Sequence, residues 1–86
     1  MTAMLHVAVI SPEQTLFEGE ATSVVAPAHD GEVGILTGHA PMMALLGRGT
    51  LKLESGGSER RFSVTGGFLQ VVDDQVRVVT ESAKAI

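Results

Sequence analysis

The chain of 86 residues contains no cysteine, no tryptophan and no tyrosine, and only three phenylalanines. Without cysteine it can form neither a disulfide framework nor a zinc site with thiolate ligands. Proteins that bind single-stranded nucleic acid combine a basic groove with aromatic side chains on which bases stack. Here the six basic residues are scattered through a chain of net charge −4 at pH 7. We therefore expect no nucleic-acid partner.

Long hydrophobic runs are also missing. No stretch approaches the ~20 apolar residues that a helix needs to cross a bilayer. The N-terminal run lacks a basic leader and is followed by Pro12 and Glu13, which is typical of a first strand rather than a signal peptide. We therefore predict a cytosolic protein without direct membrane insertion, in which residues 1–86 form a single domain.

The chain is rich in β-branched residues and in turn formers. Valine, isoleucine and threonine make up 21 residues, and glycine adds ten. Apolar residues alternate along Leu5–Ile10 and again beside Arg77, as expected for strands with one buried face. Turns are predicted at Gly56-Gly57 and at Asp73-Asp74. This pattern predicts an all-β antiparallel sandwich or flattened barrel of about ten short strands. The tail from Glu81 could begin a helix, but one that stops within two turns.

The segment GEVGILTGHAP, residues 31–41, contains the two polar residues that most invite a chemical interpretation, Glu32 and His39. With His29 and Asp30 they could be drawn as a metal site or as a small hydrolase. However, the segment has no recognised ligand spacing, nucleophile elbow or phosphate-binding loop. We predict no catalytic residue, metal or cofactor. Loop-shaping roles that need the conformational freedom of glycine are predicted for Gly31, Gly34, Gly38, Gly66 and Gly67.

An apolar run, MMALLG, follows Pro41 without alternation. Such a run is either covered on both faces by the protein's own loops or has an outer side that contacts another protein. The segments VVAP and LQVV are similarly apolar. Three such segments in one small domain favour a face covered by a partner.

Three collinear segments resemble the N-terminal domain of the epsilon subunit of F-type ATP synthases. They are VISPEQTLFEGEATSVVAPAHDG, GEVGILTGHAPMMALLGRGTLKL and VTGGFLQVVDDQVRVVTESA, which span nearly the whole chain. The resemblance implies a ten-stranded β-sandwich that is a non-catalytic rotor subunit in the central stalk. It also implies that the domain binds the gamma subunit and the c-ring, and helps couple proton-driven rotation to ATP synthesis. The expected location is the cytoplasmic face of the bacterial inner membrane, as a peripheral part of the F1 sector.

The resemblance also suggests contact residues. The expected c-ring contacts are Glu32, His39, Ala40, Pro41 and Met42. For the gamma subunit we expect contacts within the apolar excess, namely Met43, Leu45 and Val72. Many relatives have a proline where this chain has Thr37. Family members commonly continue into a two-helix C-terminal domain that can inhibit ATP hydrolysis and in some cases binds ATP. Because the sequence ends at Ile86, we expect both roles to be absent from it; either the natural protein is short or this sequence is part of a longer one.

The alternative function is a small β-sandwich module that binds a ligand or a carbohydrate. Such sites normally use aromatic platforms and convergent polar groups. A chain without tyrosine or tryptophan is poorly equipped for this, so we expect no small-molecule substrate.

Overall fold

A computed structural model describes residues 4–86 of the chain. Over this range the chain forms ten strands, and none of it forms a helix long and apolar enough to cross a membrane. The strands are β1 Leu5–Ile10, β2 Thr15–Ala21, β3 Ser23–Ala28, β4 Gly31–Leu36, β5 Met42–Leu45, β6 Arg48–Ser55, β7 Ser58–Thr65, β8 Phe68–Val72, β9 Gln75–Val79 and β10 Ser82–Ala85.

The strands form two five-stranded sheets. Sheet A has the order β2-β1-β9-β8-β5, and sheet B has the order β10-β7-β6-β3-β4. The predicted β-sandwich of ten strands is therefore confirmed. In the described part of the chain every paired neighbour is antiparallel except β1 and β9, which are parallel. Strand alternation alone carries no information on this long-range pairing.

The core lies between the two sheets and is filled by the alternating apolar residues. Leu5, Val7 and Val9 of β1 are fully buried, and so is Leu51 of β6 in the opposite sheet. Successive side chains of a strand point to opposite faces, so one register buries every second residue. The alternation along β1 thus predicted its buried face correctly.

The connections between strands gather at two ends of the sandwich. One end, which we call the His29 end, is joined by hydrogen bonds from the His29 N–H to the Leu45 carbonyl (2.8 Å) and from the Leu46 N–H to the Gly67 carbonyl (2.9 Å). At the opposite end, the Asp74 end, the β4–β5 loop meets the turn between β8 and β9 through Asp74. Both predicted two-residue turns, at Gly56-Gly57 and at Asp73-Asp74, have positive φ at each central residue. That is the type I′ geometry favoured in tight hairpins.

The tail differs from the sequence-based interpretation. Instead of beginning a helix after Glu81, the chain forms β10 and pairs antiparallel with β7, with Ser82 opposite Thr65 and Ala85 opposite Phe62. A helix of so few residues is marginal in water, whereas β7 offers a ready edge for backbone pairing. Tertiary pairing therefore overrides the local preference of the tail.

Candidate functional site

The apolar run after Pro41 forms the edge strand β5 of sheet A. Met42 packs against the core, whereas Met43 and Leu45 point outward and are 65% and 67% exposed. The run therefore does alternate, and its outer side is not covered by the protein's own loops. Of the two interpretations of MMALLG, only the one in which the outer side of the run is available to another protein agrees with the described residues.

Further apolar side chains extend this exposed face across sheet A. The strand register aligns Leu45 with Phe68, Phe68 with Val79, and Val79 with Ile10. Met43 lies one row away, opposite Gln70, and Val72 at the end of β8 is 41% exposed. Clusters of exposed apolar residues on a soluble domain commonly mark interaction surfaces. We call this surface the apolar face. Its exposed members are Met43, Leu45 and Val72, and its half-buried members are Ile10, Phe68 and Val79.

Glu32 lies on the opposite sheet, near the His29 end. It is exposed near the start of β4, the edge strand of sheet B, where it pairs with Pro27. The neighbouring turn carries an exposed ion pair in which His29 Nδ1 lies 3.5 Å from Asp30 Oδ1. Glu32 is therefore placed on an accessible rim.

His39, Ala40 and Pro41 follow the far end of β4 and lie at the Asp74 end. A strand of this length extends roughly 17–20 Å, so the structure does not bring Glu32 together with His39. The five residues predicted for the c-ring contact therefore do not all lie at one end of the domain. Met42 lies with the His39 segment, and its side chain faces the core rather than a partner.

The loop that carries His39 begins with a tight turn. The His39 N–H donates to the Leu36 carbonyl at 3.2 Å, and Gly38 has φ +81°. A positive φ at the third residue is the signature of a type II turn, which only glycine adopts without strain. The Gly38 N–H donates to Asp74 Oδ1 at 2.7 Å, and His39 Nδ1 lies 2.7 Å from the Ala40 carbonyl oxygen.

Sequence reasoning missed Asp74 as a contact of this loop. The only available signal was its turn, which uses Asp-Asp where Asn-Gly or Asp-Gly is usual. Such a departure indicates that the side chain has a second role, but does not name its partner.

The glycines divide into two groups. Gly31, Gly38, Gly66 and Gly67 have positive φ and lie in or beside turns, in agreement with the loop-shaping prediction. Gly34 does not: it lies inside β4, paired with Val25, and is not among the residues with positive φ. The prediction of a loop at Gly34 is therefore wrong, because GEVGIL pairs as one continuous strand.

The described residues offer little for catalysis. Among residues 4–86, no group of three or more histidine, aspartate or glutamate side chains is arranged to hold a metal ion. The rings of Phe17 and Phe62 pack with their centroids 6.4 Å apart, and the Arg60 guanidinium lies 5.4 Å from the centre of the Phe17 ring. Two of the three phenylalanines thus support the fold rather than form a platform for a ligand.

Comparison with known proteins agrees with this geometry. The family model described as "ATP synthase, Delta/Epsilon chain, beta-sandwich domain" matches residues 4–86. The chain belongs to this family. The family resemblance inferred from the three collinear segments is thereby confirmed.

Relatives within the ATP synthase delta/epsilon family are similar over most of the chain. The ATP synthase epsilon chain of Solibacter usitatus is 45% identical over 84 residues, which is 98% of this chain and 63% of the relative. That of Leptospira borgpetersenii is 46% identical and covers 90% of this chain and 61% of the relative. This chain thus spans about three-fifths of the length of these relatives. The epsilon chain of Frankia casuarinae is 43% identical, with 93% of this chain and 95% of the relative covered.

Solved structures share the fold. A chain in the mitochondrial ATP synthase of Euglena gracilis (OSCP/F1/c-ring) superposes with a TM-score of 0.90 at 24% identity, covering 99% of this chain and 55% of the other. A chain in the central stalk/c-ring structure of the Tetrahymena thermophila mitochondrial enzyme gives 0.81 at 18% identity, covering 96% and 67%. At these identities the likeness concerns the fold alone.

Proposed function

We propose that this chain is a non-catalytic central-stalk subunit of an F-type ATP synthase, which binds the gamma subunit and the c-ring and turns with them. Three findings support this proposal: the family match over residues 4–86, relatives named ATP synthase epsilon chain, and an exposed apolar face. In this role the domain is peripheral to the membrane, on the cytoplasmic side in bacteria, and helps transmit proton-driven rotation to catalytic subunits elsewhere.

The apolar face is the observation that carries the proposal. Leu45 and Met43 are each about two-thirds exposed, although burial of such a side chain stabilises by roughly 1.5–3 kcal/mol. A rotor subunit must hold its partner while torque is applied, and a continuous apolar face on a β-sheet provides both area and rigidity. We assign this face to the gamma subunit, in agreement with the predicted contacts Met43, Leu45 and Val72.

The c-ring contact is assigned to the His29 end. Glu32 is exposed there, next to the turn that contains His29 and Asp30. His39, Ala40 and Pro41 lie at the opposite end, adjacent to β5 and hence to the apolar face. We therefore assign these three residues to the gamma-binding surface rather than to the c-ring contact.

A charge substitution on each sheet provides the test. Leu45→Asp places a carboxylate on the apolar face, at the edge strand β5, and burying it in an interface is unfavourable. Ile86→Asp is the matched control, because Ile86 is 66% exposed but lies beside β7 of sheet B, where its N–H donates to the Arg61 carbonyl. Affinity for the purified gamma subunit of the same organism is measured by calorimetry with all three proteins.

We expect the affinity of Leu45→Asp to fall by at least tenfold, which corresponds to about 1.4 kcal/mol, while Ile86→Asp stays near the wild type. Equal affinity for both variants would remove the apolar face from the gamma contact. If the wild-type chain itself did not bind gamma at micromolar concentration, the proposed function would be wrong.

A further inference from the structure

Asp74 has a positive φ, which aspartate tolerates better than most residues but which glycine adopts more freely. It is the second central residue of the turn between β8 and β9, with φ +61°, and Asp73 before it has φ +51°. In the described part of the chain these are the only non-glycine residues with positive φ. Glycine would fit the second position of this turn with less strain. A requirement of the turn alone therefore does not explain Asp74.

The contacts of Asp74 supply an explanation. Its side-chain Oδ1 accepts a hydrogen bond from the Gly38 N–H at 2.7 Å, across 36 residues of sequence. Its backbone carbonyl accepts from the His6 N–H at 2.8 Å. Asp74 thus joins the start of β1, the β8–β9 turn and the loop that passes from sheet B to sheet A.

The bond to Gly38 is well suited to fix a loop. A carboxylate that accepts from a backbone N–H forms a charge-assisted hydrogen bond, stronger than one between neutral groups. This bond is exposed to solvent, so water reduces that advantage without removing it. Gly38 is the residue with positive φ in the turn that begins the loop, and His39, Ala40 and Pro41 follow directly. Holding the Gly38 amide therefore fixes where these three residues emerge beside Met43.

We propose that Asp74 is a positioning residue, whose carboxylate holds residues 38–41 in the conformation that meets the partner next to the apolar face. The part of this proposal that concerns binding rests on the proposed function. The part that concerns the loop stands independently, because it can be measured in the isolated chain.

Two substitutions separate this role from turn formation. Asp74→Gly retains the turn, because glycine adopts positive φ freely, but it removes the acceptor. Asp74→Asn keeps an acceptor oxygen and tolerates positive φ. Asp73→Gly is the matched control, since it removes a carboxylate from the same turn without removing the bond to Gly38.

Hydrogen exchange of the Gly38 amide, followed by NMR, reports the loop, and calorimetric affinity for gamma reports its consequence. In Asp74→Gly we expect Gly38 exchange to accelerate by at least about tenfold, because opening no longer breaks a bond. We also expect the affinity to fall by about five- to tenfold. Asp73→Gly should remain within about twofold of the wild type in both measurements. Asp74→Asn keeps an acceptor but loses the charge, so it should fall between the wild type and Asp74→Gly.

Any outcome that differs from these expectations contradicts a part of the proposal. Unchanged Gly38 exchange in Asp74→Gly, or equal acceleration in Asp73→Gly, means that the carboxylate does not hold the loop. Accelerated exchange with unchanged gamma affinity means that residues 38–41 are not presented to the partner. If the wild type does not bind gamma, the proposed function fails, while the exchange measurement still decides whether Asp74 fixes the loop.

Discussion

Gly67 lies where two connections of the His29 end approach most closely, and Gly67→Ala is the most informative test of the fold. Gly67 has φ +99°, and a Cβ atom built on it would lie 2.0 Å from the Val79 carbonyl oxygen and 2.7 Å from the Thr80 Cα. Ordinary contacts to a Cβ begin at 3.4 Å, so the backbones must separate by about 1.4 Å. Both obstructing atoms belong to the main chain and cannot rotate away as a flexible side chain would.

The expected loss of stability has two sources. A non-glycine residue held in this region of φ/ψ space costs about 1–3 kcal/mol. Separation of the backbones strains neighbouring hydrogen bonds, including Leu46 N–H to the Gly67 carbonyl and Thr80 N–H to the Ile10 carbonyl, both 2.9 Å long. Each is worth about 0.5–1.5 kcal/mol. We therefore expect a loss of roughly 3–5 kcal/mol, against about 4–13 kcal/mol for a domain of this size.

Urea unfolding monitored by circular dichroism measures this loss. With an m-value of about 1–1.5 kcal/mol/M, the midpoint should fall by at least about 2 M, or the variant should be unfolded in buffer. Gly57→Ala is the matched control, because Gly57 has φ +82° but a Cβ there would meet nothing within 4 Å. That variant should lose only the conformational part, about 1–2 kcal/mol. If Gly67→Ala were no less stable than Gly57→Ala, the close approach of the two connections would be refuted.

Two further predictions concern the segment between residues 31 and 41. Thr37→Pro should stabilise the domain by about 0.4–1 kcal/mol. Thr37 is the second residue of the turn whose third residue, Gly38, has positive φ, and proline is favoured at the second position of such a turn. Thermal unfolding should then occur about 2–6 °C higher, and a lower midpoint would contradict the type II assignment. Glu32→Lys should weaken binding to an isolated complex of gamma and c-ring by at least about tenfold, with an unchanged melting temperature. Glu54→Lys is its control, because Glu54 is exposed on β6 of the same sheet but lies at the opposite end from Glu32, and equal binding by both variants would exclude Glu32 from the contact.

The sequence predicted those features that depend on neighbouring residues. Alternation along β1 identified its buried side chains, because the two faces of a strand differ in environment. The turn at Gly56-Gly57 was predicted for a similar reason, since glycine there can take the positive φ that a two-residue hairpin requires. Such features depend on a few neighbouring residues, so they can be predicted without knowing which strands pair.

Features that depend on distant pairing were not predicted. The tail became β10 because β7, about twenty residues earlier in the sequence, offers an edge for pairing. The hydrogen bond from Gly38 to Asp74 likewise joins two turns that only the complete sandwich brings together. The local preferences of residues for helix, strand or turn do not indicate either contact, because both contacts join residues that are distant in the sequence.

The candidate contact residues are a third case, because their membership in one family motif did not indicate that they lie near opposite ends of a strand. Glu32 and His39 belong to one recognisable segment, and this led to the expectation of one contact surface. Between them lies GEVGIL, which forms β4 over Gly31–Leu36. A strand of six residues necessarily separates the residues at its two ends by most of the height of the sandwich.

The parallel pairing of β1 with β9 has a consequence for how the chain folds. In sheet A, β9 lies between β1 and β8, so without it the pair β2–β1 and the pair β8–β5 have no common neighbour. Because β9 ends at Val79, sheet A cannot close on the ribosome until the chain has been synthesised through Val79. We therefore expect folding to be a cooperative event that takes milliseconds to seconds, as in other sandwiches with non-local strand pairing. Until then, Leu5, Val7 and Val9 lack most of the partners that bury them.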